Sequence, residues 1–147
     1  MGLTIDELFY KALMADKQLT DAVGGRIRST CIEVPPTEAD NTPLPYIIVT
    51  YDGMQNDQST KDSLEGEQDN ETVSIEIAAE SRAAVGSLAS RVRQAVLDYL
   101  NSEAADTATK PLEYQLSASG VAWDWTRPCY YQTLTYQCAT WAGTSQP

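Results

Sequence analysis

The sequence predicts an α+β fold, in which one mostly antiparallel sheet of four to five strands is packed by two helices and carries a long acidic hairpin arm or loop. Residues 5–16 and 82–102 repeat apolar side chains at helical spacing. The segments between and after them are rich in β-branched and aromatic residues, which favour strands. Short connections favour antiparallel neighbours, and the length of 147 residues fits a single domain over residues 1–147.

The first helix is predicted to begin at a capping box, Thr4-Ile5-Asp6-Glu7, in which the Thr4 hydroxyl and the Glu7 carboxylate can each accept a backbone hydrogen bond from the other residue. A further helical turn over residues 19–23 ends at Gly24-Gly25. A phosphate-binding loop has its glycines after a strand and before a helix, whereas here they follow a helix. These glycines are therefore predicted to end a helix in the left-handed conformation.

Two strands are predicted next, with a Pro-containing loop between them. Residues 26–34 form a short β-rich stretch, which Pro35-Pro36 ends. Tyr46–Tyr51 is the most strongly predicted strand of the chain. Because it is apolar on both of its faces, we expect it in the centre of the sheet, covered on both sides. If both helices lie on one face, a partner subunit is the natural cover for the other face.

The segment after this strand is unusually acidic. Residues 52–71 contain seven carboxylates and one cation, Lys61, which predicts a long hairpin arm or a flexible loop over about residues 53–71. Calcium loops need a tighter spacing of acids, so no metal is expected here. The segment is open to three interpretations: a solvated loop, an arm that works in assembly, or a lumen surface that repels anions. The candidate residues are Asp57, Asp62, Glu65, Glu67, Asp69 and Glu71.

A half-buried strand and a long helix are predicted after the acidic segment. Residues 72–80 alternate between apolar and polar side chains, and Ser81 is the predicted N-cap of the helix over residues 82–102. The strand's apolar face consists of Val73, Ile75, Ile77 and Ala79. Residues 112–123 and 130–141 are then predicted as two strands joined by a turn, and residues 142–147 as a loose tail.

Aromatic residues are concentrated in this C-terminal hairpin. Nucleic-acid bases stack on such rings only beside a positive groove, and Arg127 is the one nearby cation, so packing in the core or at a protein interface is predicted. Two arginines on the first strand, two residues apart, project to the same face and form either a solvated edge or an ion-pair patch between subunits. The subunit-interface candidates are Arg26, Arg28, Trp123, Trp125, Tyr130, Tyr131 and Trp141.

Composition argues against several classes of function. The net charge of −11 is unsuited to nucleic-acid binding and repels polyanions. The chain has no histidine, which removes the commonest general base and most transition-metal sites. Its three widely spaced cysteines match neither a disulfide framework nor a zinc site, and no apolar run approaches the ~18 residues of a membrane span. We expect no enzyme activity, cofactor, metal or membrane contact.

Three stretches in order are distinctive: the opening amphipathic helix TIDELFYKALMAD, the helix end LTDAVGGRI and the strand PLPYIIVTYD. A strand and long helix, ETVSIEIAAESRAAVGSLASRVRQAVLDYL, and a closing strand, YYQTLTYQCATW, follow them. This pattern, which covers nearly the whole chain, resembles the tail-completion or tail terminator proteins of long-tailed bacteriophages and prophages. None of the stretches is a catalytic signature.

The resemblance implies a structural virion protein, a small α+β subunit that forms a ring, usually a hexamer, on the head-proximal end of the tail tube. Such a ring stops tube polymerisation and makes the head–tail joint, with DNA passing through its lumen without specific binding. The implied partners are further copies of the chain, the tail tube protein and the head connector or neck protein. The implied location is the tail or neck of the virion, after assembly in the host cytoplasm.

Two other interpretations stay open. A neighbouring connector or tail-tube protein also forms rings, and a small cytosolic enzyme is a remote alternative from another class. The acidic composition agrees with a DNA conduit, because an acidic lumen repels phosphates. A closed ring also needs two different patches on each subunit, for which the arginine pair with the acidic segment, and the aromatic hairpin, are the candidates.

Overall fold

Three helices and six strands make up the described part of the chain, which comprises residues 5–29, 43–57, 68–102 and 113–141 of a computed structural model. The helices are α1 (Ile5–Met14), α2 (Lys17–Ala22) and α3 (Arg82–Leu100). The strands are β1 (Ile27–Ser29), β2 (Tyr46–Asp57), β3 (Gln68–Ala79), β4 (Glu113–Ala118), β5 (Ala122–Asp124) and β6 (Cys129–Trp141). The predicted α+β class is confirmed.

The strands form one sheet in the order β1-β2-β3-β6-β4, and β5 pairs with β6 beside β4. β1 runs parallel to β2, and every other described pair is antiparallel. The prediction that Tyr46–Tyr51 forms the central strand is wrong, because β3 holds that position. The late strand β6 inserts between β3 and β4, which leaves β2 next to the edge.

All three helices pack on one face of the sheet. α1 contacts β1, β2 and β3, α3 contacts β3 and β6, and α2 contacts both other helices. The predicted alternation of β3 is confirmed, since Val73, Ile75 and Ile77 are fully buried while Ser74 and Glu76 between them are half-exposed. Burying an aliphatic side chain of this size stabilises the fold by roughly 1.5–3 kcal/mol. α3 contributes Val85, Leu88, Ala89, Val92, Ala95, Val96 and Leu100 to the same core.

The opposite face, called the open face below, is the face without helices, and its described side chains are mostly polar. They include Asn70, Thr72, Ser74 and Glu76 of β3 and Thr133, Thr135 and Gln137 of β6. A small apolar cluster around Tyr46, Ala78 and Cys129 covers one end of this face. The expectation that β2 is covered on both sides therefore holds only at its first residues, and Thr50 is already half-exposed. Polar side chains can face water, so this face needs no partner as cover.

The two glycines end α2 as predicted. Gly24 and Gly25 have φ angles of 60° and 74°, in the left-handed region. The Gly25 N–H donates to the Thr20 carbonyl at 2.8 Å and the Gly24 N–H to the Asp21 carbonyl at 3.3 Å, which is the hydrogen-bond pair of a Schellman motif. The chain continues directly into β1, so the glycines close a helix and do not open one.

Side chains cap the starts of two helices. The Ser81 hydroxyl accepts a hydrogen bond from the Ala84 N–H at 3.1 Å, which confirms the predicted cap of α3. Asp16, which was not predicted as a cap, accepts from the Leu19 N–H at 2.9 Å and begins α2. Both bonds satisfy a backbone donor that the first turn of a helix leaves free. The predicted capping hydroxyl of Thr4 lies outside the described residues.

The single strand predicted over residues 112–123 consists of two strands. β4 ends at Ala118 and β5 begins at Ala122. Between them, the Ser119 N–H donates to the Thr133 carbonyl at 3.0 Å, and the Ser119 hydroxyl accepts from the Thr133 N–H at 3.1 Å. The Ser119 hydroxyl oxygen takes the place of a backbone carbonyl in the ladder. The backbone N–H and carbonyl of Thr133 therefore both stay hydrogen-bonded at the interruption.

Candidate functional site

The arginines predicted as one patch on the first strand have different environments. The Arg26 guanidinium donates from Nε to the Pro45 carbonyl at 2.9 Å and from Nη2 to the Leu44 carbonyl at 3.3 Å. Arg26 therefore ties the start of β1 to the chain that enters β2. Arg28 pairs through its backbone with Ile48, is half-exposed on the open face, and makes no ion pair with any described residue.

A third arginine, Arg127, belongs to a charged cluster at one end of the open face. Its Nη2 lies 3.7 Å from Glu76 Oε2, its Nε lies 3.9 Å from Asp124 Oδ2, and its guanidinium carbon lies 5.3 Å from the centre of the Tyr46 ring. The Thr126 hydroxyl and N–H both donate to Asp124 Oδ1 at 2.9 Å, and these bonds lower the pKa of Asp124. Two acids thus neutralise the one cation of this cluster.

Tyr46 is a buried phenol at the base of the same cluster. It is 2% exposed, and its hydroxyl has no hydrogen-bond partner among the described residues. Burial raises the pKa of Tyr46 to about 12, because the phenolate loses its hydration, and the nearby Arg127 cation opposes this shift. An unpaired buried hydroxyl costs free energy, so this group is a local weakness of the fold.

The acidic arm begins as a paired hairpin, since β2 and β3 keep their ladder throughout its described part. The register shifts between Tyr51 and Gly53, which places Asp52 in a β-bulge, and Gly53 has a φ of 133° that glycine adopts without strain. The Ser74 hydroxyl donates a short hydrogen bond to Asp52 Oδ2 across the open face. The bulge therefore has its own anchor to the neighbouring strand.

The two described acids of the arm lie on the helix-facing side of β3. They continue the alternation that starts at Val73, and Asp69 is only 5% exposed. The Tyr51 hydroxyl donates to Glu71 Oε1 at 3.0 Å, and burial, followed by this bond, raises the pKa of Tyr51 to about 12. These acids thus contact their own subunit. The side chains of Asp57 and Trp141, and the whole of Asp62, Glu65 and Glu67, lie outside the described residues.

The aromatic hairpin, which we define as residues 122–131, brings three of the predicted interface residues together. The rings of Trp123 and Tyr130 pair across the strands with their centres 4.8 Å apart, and Trp125 meets Trp123 edge to face at 5.9 Å. Trp123 is 37% exposed and Trp125 is 87% exposed. Tyr131 packs instead in the apolar cluster of the open face.

A polar groove of about 500 Å³ lies between the arm and β4. Its described lining includes Asp52, Gln55, Asn70, Thr72, Glu113 and Gln137. Ligand pockets are predominantly apolar with a few convergent polar groups, whereas this groove is formed largely by amides, hydroxyls and carboxylates. It does not resemble a small-molecule site.

Two cysteines fall within the described residues, and both are buried free thiols. Burial raises the pKa of Cys138 to about 12, so its reactive thiolate is scarce at neutral pH, and burial also raises the pKa of Cys129. In the described ranges, no group of three or more His, Cys, Asp or Glu side chains could hold a metal ion. No described helix is long and apolar enough to cross a membrane.

Comparison with known proteins found a match at the level of structure. No family model and no curated protein matches the sequence. A solved structure described as the virion of a native gene transfer agent (GTA) particle contains a chain that matches with a TM-score of 0.59. The match covers 95% of this chain and 96% of that chain at 17% identity. This chain shares its fold with a virion protein. At this identity the likeness shows the fold alone, over nearly the full length of both chains.

Sequence reasoning missed the charged cluster on the open face. The spacing Asp124-x-Thr126 is a usable signal, because Asp commonly accepts hydrogen bonds from the residue two positions later in a turn. The contact between Arg127 and Glu76 joins residues far apart in the chain, and no local pattern indicates it. The same holds for Arg26, whose partners are carbonyls 18 and 19 residues away.

Proposed function

We propose that the protein is a structural subunit of a phage-like virion, which forms a ring on the end of the tail tube and joins the tube to the head connector. The observation that carries this proposal is the fold likeness to a chain of the gene transfer agent virion, with a TM-score of 0.59 over 95% of this chain. The order of the sequence stretches that resemble tail terminators supports the finer role of capping the tube.

The charge distribution supports passage of DNA through such a ring. The chain has a net charge of −11, and the open face presents Asp52 and Glu113 while its Arg127 is neutralised by two acids. Arg28 is a second arginine on this face, but among the described residues Asp52, Glu76 and Glu113 outnumber the two cations. A surface of this sign repels phosphates. We propose that the open face lines the lumen and that the helices form the outside of the ring, usually a hexamer in the family that the sequence resembles.

A neighbouring connector or a tail-tube protein is the second candidate. The matching structure is a whole virion particle, and its description does not assign the role of the matching chain. The candidates differ in how they would meet the tube: a tube protein would be incorporated along its length, whereas a terminator would stop its growth at the end.

Native mass spectrometry and electron microscopy of the purified protein, alone and with tail tube subunits, test the proposal. The expected result is a ring with a central channel that binds tube ends and stops their growth. Incorporation along the length of the tube would assign the protein to the tube. A protein that stays monomeric both alone and with tube subunits would remove the proposed function.

A further inference from the structure

We propose that neighbouring copies of this chain meet head to tail, with the exposed Trp125 of one copy against the Arg28 side chain of the next. This inference rests on the proposed ring and specifies its subunit contact. From the sequence alone, Arg28 is predicted to lie either at a solvated edge or against the acidic arm of a neighbour, so this contact gives it a different partner.

Trp125 is the first half of the contact. It is 87% exposed, and its one ring contact among the described residues is the edge of Trp123, itself 37% exposed. A tryptophan side chain covers about 150–250 Å² of surface when it is buried at an interface. Interfaces are enriched in tryptophan and arginine, and a few such side chains supply most of the binding free energy.

Arg28 is the second half of the contact. Arg26 is engaged by two backbone carbonyls and Arg127 by two carboxylates, whereas Arg28 is half-exposed and has no ion pair with any described residue. A guanidinium over the face of an aromatic ring is attracted by the ring's electrons, and tryptophan is the best partner for it. A free cation and an exposed tryptophan therefore complement each other.

The topology places the two groups at opposite edges of the sheet. Arg28 lies on the edge strand β1, and the aromatic hairpin lies on the far side of β6, beyond β3. A copy cannot bring its own Trp125 to its own Arg28 across this width. A contact between two different patches is heterologous, and repeating it closes a ring when the rotation between copies divides a full turn.

The two groups also lie near the same end of the sheet. Across the ladders, Arg28 aligns with Ile48, Glu76 and Thr133 in turn. Trp123 aligns with Tyr130. Tyr130 lies three residues along β6 from Thr133, a distance of about 10 Å.

The acidic arm lies much farther from the level of Arg28. The outermost described pair of the arm contains Gln68. Gln68 lies eight residues along β3 from Glu76, a distance of about 27 Å. Along the strand direction, the aromatic hairpin is therefore closer than the acidic arm to the level of Arg28.

Cysteine cross-linking tests the geometry directly. Arg28→Cys and Trp125→Cys are prepared as separate variants, mixed, and oxidised under assembly conditions, with the wild-type chain as the control for its native thiols. A disulfide-linked dimer that forms only in the mixture supports the head-to-tail contact. Cross-linking of Trp125→Cys with itself shows a contact between like patches and overturns the proposal.

A double-mutant cycle tests the energetics. Trp125→Ala and Arg28→Ala should each raise the concentration for half-assembly about tenfold, and the double variant should cost no more than one of them, because both remove the same contact. Arg82→Ala, an exposed arginine on α3, is the matched control and should have no effect. Thermal melting of each monomer checks that the variants fold.

The outcomes separate the contact from the ring itself. The wild-type chain can form rings while the two single variants assemble at the same concentration as the wild type, or while their separate increases in the half-assembly concentration multiply in the double variant. Either result overturns the Trp125–Arg28 contact and leaves the ring intact. A wild-type chain that stays monomeric with tube subunits overturns both.

Discussion

Two arginines close together in the sequence show that the role of a side chain depends on the groups that surround it in the fold. The spacing predicts that Arg26 and Arg28 project to the same face. In the structure, the carbonyls of Leu44 and Pro45 accept hydrogen bonds from Arg26, while Arg28 makes no ion pair with a described residue. Spacing along a strand predicts a shared direction, but the partners come from another part of the chain. Arg26 is therefore expected to affect folding, and Arg28 assembly.

Replacing a buried phenol should stabilise the protein. Tyr46→Phe removes a buried hydroxyl that has no hydrogen-bond partner among the described residues, so we expect the free energy of unfolding to rise by about 1 kcal/mol in urea denaturation. Tyr51→Phe is the matched control, because it removes a hydroxyl that donates to Glu71, and it should lower the same quantity by about 1 kcal/mol. A loss of stability in Tyr46→Phe would show that its hydroxyl has a partner.

At the scale of secondary-structure elements, one carboxylate links two helices. Asp16 Oδ1 caps α2, and its Oδ2 accepts hydrogen bonds from Arg91 of α3, at 3.1 Å from Nε and 2.5 Å from Nη2. The Asp16 side chain is 11% exposed, so this pair is better shielded from solvent than the ion pairs of the open face. The short helix α2 thus depends on a residue just before it for both its start and its position.

Two substitutions should separate these roles. Asp16→Ala loses the cap and the ion pair, and we expect the free energy of unfolding to fall by about 2 kcal/mol. Asp16→Asn keeps an equally good cap and should lose about half as much. Asp21→Ala, an exposed position of α2, is the control and should change stability by less than about 0.5 kcal/mol. Equal losses in the two Asp16 variants would exclude a contribution from the cap, and an unchanged stability in Asp16→Asn would exclude one from the ion pair.

The arm allows a clean test of its role in assembly. Asp57 and Gln68 face each other across the hairpin, so residues 58–67 can be replaced by an Asn-Gly turn that suits a two-residue connection. Because the ladder is kept, we expect unchanged thermal stability of the monomer and a loss of joining to the tube or head. Normal joining after this replacement would identify the segment as a solvated loop.

Local features of the elements were predictable from the sequence, whereas contacts between distant elements were not. The alternation of Val73 to Ala79, the Ser81 cap and the glycine helix end each depend on residues within one or two turns. Arg91 and Asp16 are separated by 75 residues, and the insertion of β6 between β3 and β4 depends on which strands find each other in space. At the split of the strand predicted over residues 112–123, one serine hydroxyl replaces a backbone carbonyl in the ladder.

At the scale of the whole molecule, three weakly acidic side chains with raised pKa values make stability sensitive to alkali. The pKa of Tyr46 and of Tyr51 rises from 10.0 to about 12, and that of Cys138 from 9.0 to about 12. Each group holds its proton more tightly in the folded state, so its contribution to stability is present in full below the unfolded pKa and is lost as pH rises through the folded value.

We therefore expect the free energy of unfolding to fall between about pH 9 and pH 12, as measured by urea denaturation at a series of pH values. Tyr51→Phe removes one of these groups and should make the decline shallower. A stability that stays constant over this range would show that these groups titrate equally in the folded and unfolded chain.

The position of β6 has a consequence for the timing of synthesis. β3 and β4 both leave the ribosome before β6, which later supplies Leu134, Tyr136 and Cys138 to the core and pairs with both strands. At about 5–20 residues per second, the chain from the end of β4 to the end of β6 takes roughly 1–5 s to make. During that interval the nascent chain has an incomplete core. The ring that we propose can therefore take up only chains that have completed β6.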